Sequence, residues 1–242
     1  MTKIIIFRIA VFIVFIIVSY LLSVNYQDIL GFTLVLSVGL IHGANDLLII
    51  KKNSKFTSNY SQFKPFFTYI GVVFLGFTFF YFFPSLALAT FIIVSIYHFG
   101  EQHLEAIPIT RSLKNNYRVI SIVSHGIILF TIIFMNNINT VNNVFLSFKI
   151  NFLSYNTLNI ILITASIVYI STLFVNKHLT SFIFSEILFF VLFYFLSLSS
   201  TLILCFSVYF IFFHSILSIK DQVKYIYGSN DSNSLKKYLL NS

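Results

Sequence analysis

The chain alternates long apolar segments with short polar connections. Eight segments approach or exceed the roughly 20 apolar residues that cross about 30 Å of hydrocarbon as an α-helix. They cover residues 4–22, 29–50, 66–83, 85–99, 119–135, 158–175, 182–198 and 202–219. Helices are expected because no water is available in the hydrocarbon core, so every backbone N–H and C=O group must find a hydrogen-bond partner within the protein. The pattern predicts an all-α polytopic membrane bundle of about eight transmembrane helices in a single integral membrane domain, 1–242. Seven spans result if the turn Ser199-Ser200-Thr201 lies within one broken helix.

The distribution of basic residues fixes the predicted orientation. With a cytoplasmic N-terminus, every lysine and arginine except Lys149 falls in or beside an inner loop, as the positive-inside rule requires. Both termini are therefore predicted to be cytoplasmic, and residues 221–242 form a short cytoplasmic tail. Composition supports a membrane protein, because only 9% of the residues are charged and 58% are hydrophobic. The formal charge of +8 is explained by these loops, so no nucleic-acid partner is expected.

Histidines from separate predicted helices share one depth. His42, His98 and His214 lie on segments that run from outside to inside, and His125 lies on one that runs the other way. At 1.5 Å per residue, all four lie roughly 9 to 13 Å inside the cytoplasmic boundary. Neutral imidazoles are common metal ligands, so the shared depth predicts a metal site.

Three of these histidines have a polar neighbour one helical turn later. The pairs are His42 with Asp46, His98 with Glu101, and His214 with Ser218. Such spacings place side chains on one helix face, and a carboxylate often orients a ligating imidazole. Nitrogen and oxygen donors without thiolates suit Fe(II), Zn or Mn. By contrast, His103 and His178 are expected to be interfacial or solvated, and Glu186 is expected to pair with Lys177 or to serve a helix end.

Three sequence blocks carry a resemblance to a known family. Gly39-Leu40-Ile41-His42-Gly43-Ala44-Asn45-Asp46, Ser95-Ile96-Tyr97-His98-Phe99-Gly100-Glu101 and Phe213-His214-Ser215 resemble the signature blocks of the Brp/Blh family of bacterial β-carotene 15,15′-dioxygenases. They occur in the family's order. The resemblance implies His42, His98 and His214 as ligands of Fe(II), with Asp46 and Glu101 as catalytic groups that support them.

The resemblance also implies a reaction and its partners. A non-haem iron dioxygenase of this family cleaves the central double bond of β-carotene with O₂ to give retinal. The carotenoid would enter from the lipid membrane, and a rhodopsin could accept the retinal. The implied location is the bacterial inner membrane, with a multi-pass topology.

One position departs from the family pattern. The family's third block usually carries a second histidine one turn beyond the first, where this chain has Ser218. His125 could complete the ligand set, or Asp46 could bind the metal directly. Two other functions stay open: a transporter or proton relay that uses the intramembrane polar residues, and a non-catalytic retinal-binding protein.

Overall fold

The fold is known from a computed structural model that describes residues 2–39, 41, 49, 64–105, 107, 115–175, 180 and 182–240. Within these residues the chain is helical and contains no strand. The helices are α1 (Thr2–Leu21), α2 (Val24–Leu34), α3 (Lys64–Phe82), α4 (Pro84–Glu105), α5 (Asn115–Asn136), α6 (Ile138–Ser147), α7 (Tyr155–Phe174), α8 (Ile183–Ser199), α9 (Leu202–Val208), α10 (Ile216–Tyr227) and α11 (Ser232–Leu240). Two π-helical segments, π1 (Val35–Gly39) and π2 (Tyr209–Ser215), continue α2 and join α9 to α10.

The apolar segments form membrane-length helices. In the described part of the chain, four helices are long and apolar enough to cross a membrane, namely Pro84–Glu105, Asn116–Asn136, Tyr155–Phe174 and Leu202–Tyr227. Three shorter apolar helices cover Ile5–Leu21, Phe66–Phe82 and Ile183–Ser199. The all-α class and the membrane character are therefore confirmed, whereas the count of eight spans and the cytoplasmic termini stay predictions.

A break separates α8 from α9. Ser200 has an extended backbone, with ψ at 161°, and the Thr201 hydroxyl caps α9 by accepting a hydrogen bond from the Leu204 N–H. The Gln27 side chain links the break between α8 and α9 to the break between α1 and α2 through hydrogen bonds. Its amide donates to the Ser19 carbonyl at 2.8 Å and accepts from the Thr201 N–H at 2.9 Å.

Two glycines let α4 and α5 approach backbone to backbone. A Cβ added to Gly100 would stand 2.0 Å from the Ile122 carbonyl oxygen, and one added to Gly126 would stand 2.0 Å from the Ile96 oxygen. The helices are antiparallel, so the two contacts lie one turn apart along the same seam. Small residues at such seams are typical of membrane helix pairs. The seam fixes the position of the α4 segment that carries His98 and His103.

Candidate metal centre

His98 on α4 and His214 on π2 meet through their imidazole rings. Their Nε2 atoms are 3.3 Å apart, and the ring centroids are 4.5 Å apart with the planes inclined by 66°. His214 is buried, with 2% of its surface exposed, whereas His98 is exposed. The pair therefore joins two helices that are distant in sequence and leaves one side accessible.

The π2 segment carries one histidine of this pair, and π1 packs against π2. His214 belongs to π2, and π1 ends at Gly39, three residues before His42. A Cβ on Gly39 would lie 3.2 Å from the Phe210 ring of π2, so the segments are close neighbours. A π-helical stretch is rare and occurs often at functional sites, because the wider turn redirects side chains.

Aromatic rings enclose His214. Phe210 stacks on it with centroids 5.5 Å apart, and Phe99 packs on it at 5.3 Å. Phe206 in turn stacks on Phe210 at 5.9 Å and 7°. Beyond Phe206 an apolar cavity of about 330 Å³ is lined by residues that include Phe32, Val35, Phe91, Ile92, Phe130 and Phe206. The stacked rings of Phe206 and Phe210, here called the aromatic ladder, thus link the histidine pair to an apolar cavity.

Among the other residues of the predicted site, Glu101 lies on α4 and Ser218 on α10. His42 and Asp46 lie outside the described residues. Glu101 is half-buried and accepts a hydrogen bond from the Tyr97 hydroxyl at 3.4 Å. Ser218 is half-buried on α10. The structure therefore brings together two of the predicted ligands, His98 and His214.

His125 lies in a second polar cluster instead. Its ring stacks on that of His103, with centroids 3.9 Å apart and planes 24° apart, and its Nδ1 lies 4.0 Å from Glu186 Oε2. His103 Nε2 is 2.9 Å from the same carboxylate oxygen. All three side chains are at least 98% buried. The cluster joins α4, α5 and α8.

Two further residues hold the Glu186 carboxylate. The Tyr169 hydroxyl donates to Oε2 at 2.8 Å, and Arg8 Nη1 donates to Oε1 at 3.4 Å. The Arg8 guanidinium also lies over the Phe189 ring, 5.3 Å from its centroid. A buried carboxylate is tolerated when charged or hydrogen-bonding partners compensate for its lost hydration. Here Arg8, His103 and Tyr169 supply these contacts from three different helices.

The expectation that His103 is interfacial or solvated was wrong. His103 is 1% exposed rather than interfacial, because Gly100 and Gly126 draw α4 against α5 and carry the His103 side chain into the bundle. Glu186 lies in the first turn of α8, as the helix-end interpretation predicts, and it pairs with Arg8, His103 and Tyr169. The alternative partner, Lys177, lies outside the described residues. A sequence signal did exist, because Arg8 and Glu186 each interrupt an apolar segment and such charges tend to pair.

Comparison with known proteins supplies the family. A sequence model of a family described as Beta-carotene 15,15'-dioxygenase matches residues 33–242. No curated protein and no solved structure matches the chain significantly. The matched range includes His98, His214 and both π-helical segments, and it confirms the resemblance drawn from the three sequence blocks. The chain therefore belongs to the beta-carotene 15,15'-dioxygenase family.

Proposed function

We propose that this protein is a membrane-embedded non-haem iron dioxygenase that cleaves the central 15,15′ double bond of β-carotene, or of a related carotenoid, with O₂ to give retinal. The 3.3 Å approach of His98 Nε2 to His214 Nε2 carries the proposal. Family membership supports it, since the two rings belong to blocks that resemble the family's signatures. The proposed location is the bacterial inner membrane, with several passes.

The geometry of the histidine pair suits a shared ion. Two ligand atoms about 2.1 Å from one ion lie about 3.0 Å apart at a right angle and about 3.4 Å apart at the tetrahedral angle. The observed 3.3 Å falls within this interval. Imidazole donors suit iron, and open coordination positions are typical of non-haem Fe(II) oxygenases. His98 and His214 are thus the proposed iron ligands, with His42 as the third.

Each residue at the site has a role in this proposal. His98 and His214 hold the Fe(II), which when bound supplies the binding and activation of O₂. Phe99 and Phe210 pack around His214 and exclude water from it. Glu101, held by the Tyr97 hydroxyl, lies one turn from His98 and is proposed to help orient that helix face.

The apolar cavity is the proposed entrance for the polyene. Its described lining is apolar except for Ser207, and it lies beside Phe206 at the far end of the aromatic ladder from His214. A volume of about 330 Å³ suits part of a long hydrocarbon, since ligand sites of roughly 300–1,000 Å³ bury most of a small molecule. The carotenoid would enter from the bilayer, and a rhodopsin is the proposed acceptor of the retinal.

The buried cluster around Glu186 favours one alternative, a transporter or proton relay, because intramembrane ionisable residues often mark ion pathways. A non-catalytic retinal-binding protein is the other alternative. Formation of retinal distinguishes the enzyme from both. A transporter leaves the carotenoid intact, and a retinal-binding protein retains added retinal without producing it.

Expression in a carotene-accumulating bacterium tests the proposal. Wild-type protein is expected to bleach the cells and to yield retinal in extracts, whereas His98→Ala and His214→Ala are expected to lower the retinal yield at least about a hundredfold, since ligand loss removes the ion that activates O₂. Tyr81→Ala is the matched control, because Tyr81 is an exposed aromatic on α3. Intact β-carotene beside folded, iron-loaded wild-type protein would refute the proposed substrate.

A further inference from the structure

We propose that His103, His125 and Glu186 form a second metal centre, separate from the His98–His214 pair, that binds one divalent first-row transition metal ion. Each residue offers one donor atom, and the three donors lie within 4.8 Å of one another. Two imidazoles and one carboxylate are a ligand set that Fe, Mn, Co and Zn accept. The donors come from α4, α5 and α8, so the ion would tie three helices together.

The distances require only a small adjustment to bind an ion. Three atoms that are at most 4.8 Å apart lie within about 2.8 Å of a common point, so binding at about 2.0–2.2 Å draws each donor inward by less than about 1 Å. His103 Nε2 and Glu186 Oε2, at 2.9 Å, already have the separation of about 3.0 Å expected for adjacent octahedral ligands. Rotation of the His125 side chain can supply the remaining movement.

The buried ring nitrogens of His125 are a second, independent observation in favour of a metal ion at this cluster. In the part of the chain that the structure describes, its Nδ1 and Nε2 are both buried without a hydrogen-bond partner, and so is Nδ1 of His103. A buried polar atom without a partner is unfavourable and is often explained by a bound water or ion. A simple ion pair between Arg8 and Glu186 accounts for the carboxylate but leaves His125 without a role. A metal ion accounts for both.

Outer contacts around the cluster resemble those of a metal site. Tyr169 donates to the proposed ligand oxygen at 2.8 Å, while Arg8 binds the opposite oxygen of the same carboxylate. Hydrogen bonds of this kind fix the orientation of metal ligands. The Phe189 ring lies 4.8 Å from that of His103 and 5.9 Å from that of His125. The arrangement therefore holds the three donors in place before an ion arrives.

Cobalt titration of a chain without the first site tests this centre. Full-length His98→Ala/His214→Ala protein, purified in detergent and stripped with a chelator, is titrated with Co(II), and visible absorption and bound metal per chain are measured. One Co(II) per chain is expected. Adding His125→Ala is expected to weaken that binding more than about a hundredfold, and adding Tyr169→Phe about tenfold, because outer contacts contribute less than ligands.

Thermal unfolding provides a second measurement. Co(II) is expected to raise the Tm of the His98→Ala/His214→Ala chain, and His125→Gln, which keeps a polar side chain of similar reach, should abolish that rise. A folded His98→Ala/His214→Ala chain that binds no Co(II), or binds it equally well after loss of His125, would overturn the second centre. Retinal formation by the His125→Ala chain reports the proposed dioxygenase site separately, so the two proposals can fail independently.

Discussion

The close contact between α4 and α5 yields the most quantitative prediction. Replacing Gly100 with alanine would place a Cβ 2.0 Å from the Ile122 carbonyl oxygen, whereas a relaxed C···O contact is about 3.3 Å. The helices must therefore separate locally by about 1.3 Å. Because a backbone atom cannot rotate away, the expected loss of stability is about 3 kcal/mol, the upper end of the range for overpacking.

The same displacement acts on the histidine pair. His98 lies two residues before Gly100, and metal ligands tolerate deviations of only about 0.2 Å from their preferred distances. Gly100→Ala is therefore expected to reduce bound iron and to lower retinal formation roughly a hundredfold, as ångström-scale misplacement of reacting groups does.

Gly76→Ala is the matched control on α3. Among the described residues, a Cβ at Gly76 would meet no atom within 4 Å, so its substitution should leave retinal formation unchanged and alter stability by less than about 1 kcal/mol. Denaturant unfolding, iron content and retinal yield are measured for both variants. If Gly100→Ala matches Gly76→Ala in all three, the backbone contact between α4 and α5 is wrong.

Three further predictions concern the buried carboxylate, the tail and the third sequence block. Glu186→Gln leaves Arg8 without its counter-ion, so it should lower stability by about 3–5 kcal/mol. Glu105→Gln, which breaks the solvent-accessible ion pair with Arg118, should cost less than about 1 kcal/mol in the same unfolding assay. A backbone N–H bond lowers the pKa of Asp231, so this cap of α11 should stabilise the tail above the ordinary carboxyl pKa and weaken as pH falls below it; amide exchange that is independent of pH after correction for its intrinsic rate would contradict this. Ser218→His should raise iron affinity if the family's missing imidazole matters, and unchanged affinity would exclude that role.

Hydropathy predicted much of the fold because the bilayer imposes helix length and polarity on each segment. The predicted end of the seventh segment at Leu198 agrees with the break at Ser200, whereas α10 continues to Tyr227, past the predicted end of the eighth segment at Ile219. The approach of His98 to His214 also follows from depth, because residues at one level on neighbouring helices can meet. The depth of a residue in the membrane does not, however, determine which helices are neighbours.

The cluster of His103, His125 and Glu186 could not be predicted from the sequence, because its prediction requires knowing which helices are neighbours. His103 and His125 meet only because the Gly100 and Gly126 contacts set the rotation and spacing of α4 and α5. Sequence periodicity places His103 about 140° from His98, but it does not reveal that α5 and α8 occupy that side. The π-helical segments were equally unforeseen, since a π-turn depends on tertiary packing as well as on local sequence.

The proposed dioxygenase depends on His98 and His214 binding one iron ion between them. Anomalous X-ray diffraction at the iron edge, from crystals of the iron-loaded protein, tests this directly. We expect a peak about 2.0–2.2 Å from Nε2 of both rings, and we expect it to be lost in His214→Ala. Fully loaded protein with no iron peak between these two nitrogens would contradict it.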